Sequence, residues 1–283
     1  IMGAFLNLIV NEISMKIPMR LFPSFAPLKH IFSFSAFQFL FNFVNYFGRN
    51  LDKLIIGKTI SLSDLGYYEK SYRLMTMPIE NINGVFTPVL EPYLADANGD
   101  RSRILSVYNR MNDILISVAF PVAALLTICA REIILIVYGH QWEPAILPFS
   151  ILAFATASQI ACVPLGSILQ ACRNTKLMFI QGLINVVISV TGLCFGAFVF
   201  KSIVAISIAL TITSYLAFIN SMFVSYHFNF RTSPIPFFTS CLKPASCFVV
   251  IFLLGHLIGH LMMGCNVLLS LIIKGMVWSI VTY

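Results

Sequence analysis

Long apolar runs separated by short polar links make up most of this chain, and inside two of the runs polar residues recur at helical spacing. The first stripe is Gln38, Asn42, Asn45, Arg49 and Asp52, stepping by four, three, four and three residues. The second, in the following run, is Glu69, Arg73, Thr76, Glu80, Asn83, Thr87 and Glu91. Steps of three and four put each set on one face of an α-helix. The apolar runs predict spans at 31–57, 67–93, 112–138, 146–171, 177–199, 202–226, 237–262 and 265–283, with residues 1–11 reading as the tail of an earlier helix. Each reaches or approaches the roughly 20 residues that cross a hydrocarbon core. The pattern predicts an all-α polytopic transmembrane helical bundle.

Composition sharpens this. The chain is 58% hydrophobic and 10% charged, with a mean hydropathy of +0.88, against roughly 25% charged residues in a soluble domain. A soluble fold would have to bury nearly every segment and keep almost no polar surface, which surface-to-volume scaling forbids. All acidic residues lie at or before Glu143, and the net charge of +7 comes from basic residues dispersed singly along the chain. They are topology signals and not a nucleic-acid footprint. Alternate links hold Lys16, Arg20 and Lys29, then Arg101, Arg103 and Arg110, then Arg173 and Lys176, then Arg231, while the opposite set holds little beyond Lys58 and Lys201. The first set is therefore expected in the cytoplasm, with 58–66 and 139–145 outside.

Several chemistries find no support. The cysteines form no CxxC pair and read as buried thiols. His256 and His260 are four apart, but no third ligand stands near them, so no metal is expected. No Walker, GxGxxG or HExxH motif appears, so ATP hydrolysis and cofactor chemistry are not expected and the chain does not read as an enzyme. Driving force would come from an ion gradient, a substrate gradient or a partner. Pro78, Pro88, Pro121 and Pro164 predict kinks. Tyr67, Tyr68, Tyr138, Trp142 and Tyr226 read as interfacial anchors, and Arg131 and Glu132 as charges that snorkel to the interface.

The short link between the first two spans makes them antiparallel neighbours, bringing Arg49, Asp52 and Lys53 towards Glu69, Lys70 and Arg73, where ion pairing is expected. A charge at mid-bilayer costs roughly 2.5–3.5 kcal/mol on insertion scales, so such groups need water, a partner or a ligand. Charges that merely lock two helices would explain the ends of the stripes. They would not explain why Gln38, Asn42, Glu80 and Asn83 carry both stripes deep into apolar sequence, which favours a wet cavity. The candidate lining is Gln38, Asn42, Asn45, Arg49, Lys53, Lys70, Arg73 and Asn83; Asp52, Glu69 and Glu80 are candidates for exchanging H+ or Na+. Weaker stripes in spans five and six (Gln181, Asn185, Ser189, Gly192 and Ser207, Thr211, Ser214, Ser221) read first as packing faces, with ion coordination by Asn185 or Thr211 left open.

The run Asn50-Leu-Asp-Lys-Leu-Ile-Ile-Gly-Lys58, then Leu65-Gly-Tyr-Tyr-Glu-Lys-Ser-Tyr-Arg-Leu74, Met77-Pro78, and later Tyr138-Gly-His-Gln-Trp-Glu-Pro-Ala145 resembles the bacterial oligosaccharide flippases. These are the Wzx-type polysaccharide transporters of the MOP superfamily, which also holds multidrug and lipid II flippases. The likeness is carried by residues 31–172, and hydropathy alone supports it afterwards. It implies a fourteen-helix design with two six-helix lobes around a cavity and two trailing helices. This chain would then hold the end of a preceding helix and a cytoplasmic link (1–30), a C-terminal six-helix lobe (31–226) and the two trailing helices (227–283), with about six further helices upstream. The implied function is translocation of an undecaprenyl-pyrophosphate-linked oligosaccharide across the bacterial inner membrane for O-antigen, capsule or exopolysaccharide synthesis. The implied partners are that glycolipid, membrane lipids, a polysaccharide polymerase and chain-length proteins. A cation-coupled multidrug exporter and a non-transporting subunit of a polysaccharide assembly complex stand as alternatives. The basic residues around the stripes weigh against the exporter, and a polymerase or ligase would want a large outer loop that is not seen.

Overall fold

The computed structural model of the chain describes residues 26–97, 100–261 and 267–282. The expected helix remnant at 1–11 and most of the link at 12–30 lie outside the described residues. Among those described, the regular elements are all helices. The first is α1 (Ala26–Thr59), and α2 (Leu62–Asp96), α3 (Arg101–Ile128) and α4 (Ala130–Val137) follow it. A 3₁₀ turn (His140–Ala145) leads into α5 (Ile146–Ala161) and α6 (Leu165–Ala171). Next comes α7 (Thr175–Cys194), which runs into a π-helical turn (Phe195–Phe200), and then α8 (Ile203–Phe223), which does the same (Val224–Asn229). The chain closes with α9 (Ile235–Leu261) and α10 (Val267–Thr282). The residues from Phe37 onward form one unit, which contains both polar stripes.

These elements fall on the eight predicted spans, with the third and fourth each broken in two. Among the described residues, five stretches are long and apolar enough to cross a membrane by length and composition: Arg101–Ile128, His140–Ala171, Thr175–Phe200, Ile203–Asn229 and Ile235–Ile258. The stripe-bearing α1 and α2 are not among them. The protein is a multi-pass membrane protein built as an all-α bundle.

Local chemistry sets the ends. Ser61 Oγ accepts the Asp64 amide at 3.0 Å and donates to the Asp64 carboxylate at 2.6 Å, a reciprocal cap that starts α2 two residues after α1 ends. The hairpin is therefore antiparallel. Asp100 accepts from the amides of Ser102 and Arg103, which begins α3 well before the expected position 112. Arg101, Arg103 and Arg110 consequently lie on the first turns of a helix and not in a link, with the Arg103 guanidinium 5.4 Å from the Tyr93 ring. Pro78, Pro88 and Pro121 sit inside unbroken helices. Pro164 instead caps α6 after a genuine break.

At the centre stands α5, flanked by α2, α3 and α8. Its Ala153, Ala155, Ala157, Ser158 and Ala161 are all buried, and small side chains are what let three neighbours approach one helix closely. On one side α8 carries α7. Asn185 donates to Ser221 at 2.8 Å and accepts from Asn220 at 2.9 Å, and a Cβ at Gly192 would fall 2.5 Å from Thr213. Thr211 donates to the carbonyls of Ile151 and Ser207. The weak stripes of spans five and six thus meet each other and α5. Beyond α7 comes α1, with Phe41 over Gly182 and Val186 over Gly48. On the other side α9 lies along α3, and α10 packs on α9, α3 and α4.

Candidate substrate path

At about 100° per residue, Glu69, Arg73, Thr76, Glu80, Asn83 and Thr87 stay within about 40° of one line along α2. Glu69, Arg73, Glu80 and Asn83 are exposed on it, while Tyr68, Ser71 and Met75 on another face are buried. Ser71 fixes that inner face by donating to the carbonyl of Ala145 at 2.9 Å. The outward rotation of the stripe is thus dictated by the burial of its opposite side. On α1, Asn42 is exposed and Gln38, Asn45 and Lys53 are half-buried; the Arg49 side chain lies outside the described residues. The Gln38 Oε1 atom is buried without a partner. Where the two helices meet, Lys53 Nζ stands 3.1 Å from Glu69 Oε1, the ion pair expected there. Deeper along α2, Thr87 donates to Asn83 at 2.8 Å.

Other residues meet partners that the sequence does not indicate. Asp52, on the inner edge of its stripe, is 4% exposed, accepts from Tyr68 Oη at 2.6 Å and receives the Lys53 amide at 2.8 Å. Tyr68 is accordingly not an interfacial anchor, and neither is Tyr226, which is buried and donates to Asn109 at 2.8 Å. Lys70 sits about 100° round the helix from Glu69 and lies over the Tyr138 and Trp142 rings at 5.2 and 5.4 Å. It is held by an aromatic clamp, off the stripe to which the sequence adds it as a candidate lining residue. Glu132 does not snorkel. It is 4% exposed, and its Oε1 accepts from Lys274 Nζ at 2.6 Å and Ser270 Oγ at 2.5 Å.

What remains is a hairpin of two long helices in which Glu69, Arg73, Glu80 and Asn83 form an exposed line on α2 and Asn42 is exposed on α1, none of them covered by the described residues. A model described as polysaccharide biosynthesis protein matches residues 1–147. The chain belongs to the polysaccharide biosynthesis protein family. It is 32% identical over 152 residues to the teichuronic acid biosynthesis protein TuaB of Bacillus subtilis (strain 168), covering 54% of this chain and 32% of that protein. It is 22% identical over 146 residues to the lipopolysaccharide biosynthesis protein WzxC of Escherichia coli (strain K12), covering 52% and 30%. In fold it is similar to the lipid II flippase MurJ in an inward closed conformation, with TM-score 0.70 and 15% identity over 94% of this chain and 56% of that one. The chain thus spans about a third of the length of the curated relatives it matches.

In this member of the polysaccharide biosynthesis protein family, the matched region contains α1 to α4 and the 3₁₀ turn, hence both stripes and the Lys70 clamp. All but the first two residues of the central α5, and everything after it, lie beyond the match and are supported by the fold comparison. The main polar feature missed from sequence is the Glu132–Lys274–Ser270 cluster. Its signal was present: Lys274 lies inside a strongly apolar run, and with no acid after Glu143 its partner had to come from far upstream.

Proposed function

We propose that this chain forms one side of the path by which a flippase carries a lipid-linked oligosaccharide from the cytoplasmic to the outer leaflet of the bacterial inner membrane. The observation that carries the reading is the exposed polar line of Glu69, Arg73, Glu80 and Asn83 on α2, facing away from the buried core, with Asn42 exposed on α1. Hydroxyl-rich sugar can exchange water for such amide and carboxylate partners, and Arg73 and Lys53 offset the charge of an undecaprenyl-pyrophosphate group. Lys70 would act differently from its neighbours, holding α2 to the 3₁₀ turn. Glu69 and Glu80 are the better placed of the acids to exchange H+ or Na+, since both are exposed, Glu69 in a solvent-open pair with Lys53, whereas Asp52 is buried against Tyr68. Family membership supports a role in polysaccharide assembly and transport rather than catalysis, with polymerase and chain-length proteins as downstream partners. The positive-inside rule supports a cytoplasmic α2–α3 link and an outer 3₁₀ turn.

The test is flipping of a labelled glycolipid in proteoliposomes holding the protein as its gene encodes it. Arg73→Ala and Glu80→Gln should each lower the rate about tenfold or more, with membrane abundance kept within about twofold, because an exposed side chain supports little of the fold. Unchanged flipping in both variants would remove the stripe from the path.

A further inference from the structure

Three side chains of α10 spaced by four, Ser270, Lys274 and Trp278, lie on one helical face and all reach the α3–α4 rod. Trp278 Nε1 donates to the Pro121 carbonyl at 2.8 Å. Lys274 Nζ donates to the Ile128 carbonyl at 2.9 Å and to Glu132 Oε1 at 2.6 Å. Ser270 donates to the same carboxylate oxygen. Helix α3 ends at Ile128 and α4 starts at Ala130, so Lys274 holds one group on each side of the break at Cys129. A carbonyl in the last turn of a helix lacks its intrahelical donor, and an ammonium is the group that the negative end of the helix dipole attracts. On α9, Gly255 brings its backbone so close that a Cβ there would lie 2.7 Å from Ile128. The break is thus enclosed from two helices and spanned by one cation.

Helix α4 in turn leads into the segment that carries Tyr138 and Trp142, the rings over Lys70 of α2. From this connection we infer that α10 is a splint: Lys274 and Glu132 fix how α4 leaves α3, and so hold the 3₁₀ turn in the position where it clamps α2 and its polar line. They are positioning residues that touch no substrate. The transport part of this inference rests on the proposed function; the splint itself does not.

Hydrogen exchange followed by mass spectrometry on the protein as its gene encodes it separates the two. In Lys274→Met, amides of 129–146 should exchange about tenfold faster than in the parent, within the range by which a coupled element is usually modulated, while those of central α5 beyond Ile146 stay unchanged. Lys274→Arg should restore the parent rate. The double variant Glu132→Leu/Lys274→Met leaves no unpaired buried charge and should accumulate normally, yet show the same local acceleration and about tenfold slower glycolipid flipping. Parent-like exchange at 129–146 in the double variant overturns the splint. So does acceleration spread evenly over the bundle, which marks the pair as general glue. A parent protein that flips no glycolipid defeats the proposed function and leaves the exchange result to decide the splint.

Discussion

Tyr68→Phe should destabilise this bundle far more than Glu69→Gln, although the two positions are adjacent and each removes one polar contact between α1 and α2. Tyr68 is fully buried and Asp52 is 4% exposed, so when the hydroxyl goes no water replaces the 2.6 Å bond it gave the carboxylate. A hydrogen bond to a charged group contributes about 1.5–3 kcal/mol, which lowers the folded-to-unfolded ratio about 10- to 150-fold. The Lys53–Glu69 pair, at 3.1 Å, has side chains 40% and 46% exposed. Pairs of that kind are worth about 0.2–1 kcal/mol, a factor of roughly five at most. Replacing both buried partners, Asp52→Leu with Tyr68→Phe, should recover most of the loss, because no orphaned acceptor then remains. The assay is denaturant unfolding in detergent micelles, followed by loss of helical circular dichroism. If Tyr68→Phe and Glu69→Gln agree within about 0.5 kcal/mol, the limit of ordinary surface effects, Asp52 is reached by water and the assignment of a dry contact is wrong.

The same unfolding assay tests helix contact at two glycines. A Cβ at Gly196 would lie 3.0 Å from the Cα and 3.2 Å from the N of Ile206, backbone atoms that cannot swing aside, so Gly196→Ala should cost about 1–3 kcal/mol. Gly84 meets nothing within 4 Å, and Gly84→Ala should stabilise α2 by about 0.5–1 kcal/mol. At the start of α3, hydrogen bonds from the Ser102 hydroxyl and from the Ser102 and Arg103 amides hold the Asp100 carboxyl below its ordinary value of 3.8. A lowered folded value means that the cap stabilises above the unfolded pKa and is lost as pH falls through the folded one. Amide exchange at Ser102 and Arg103, corrected for its intrinsic pH dependence, should therefore accelerate below 3.8 and lose that pH response in Asp100→Ser; the same profile in both proteins would refute the cap.

The helical rods are legible in the sequence because hydropathy and length leave few alternatives for a segment in lipid. Their interruptions are less so. The early start of α3 depends on Asp100 turning its carboxylate onto two amides, a local choice that an arginine-rich stretch disguises as a link. The break at Cys129 has no proline or glycine to announce it. It is held by Lys274, which is 145 residues further along the chain, and no local window contains both. Pro164 reads as a kink and is a full break, whereas Pro78 and Pro121 interrupt nothing. What a proline does in such a bundle depends on which neighbours receive the freed carbonyl, and those neighbours are tertiary facts.

Periodicity puts Glu69, Arg73, Glu80 and Asn83 on one face of α2, and that face is exposed. It does not give the partners of Lys70 and Asp52, and for one reason. Spacing tells which residues share a side of one helix, but what lies opposite that side is decided by other helices. Lys70 groups with Arg73 in sequence because both are basic, yet a rotation of about 100° from Glu69 carries it onto Tyr138 and Trp142. Asp52 is on the edge of its stripe, and that edge turns into the α1–α2 contact where Tyr68 waits. Among the described residues, the charges discussed for the candidate path and its supports therefore divide into two kinds. Those left open on α2 are, on the proposed function, where a polar cargo would exchange partners. Those already closed on tyrosine, aromatic rings or Lys274 hold the helices that present them, and a variant that confuses the two kinds will report folding where transport was meant.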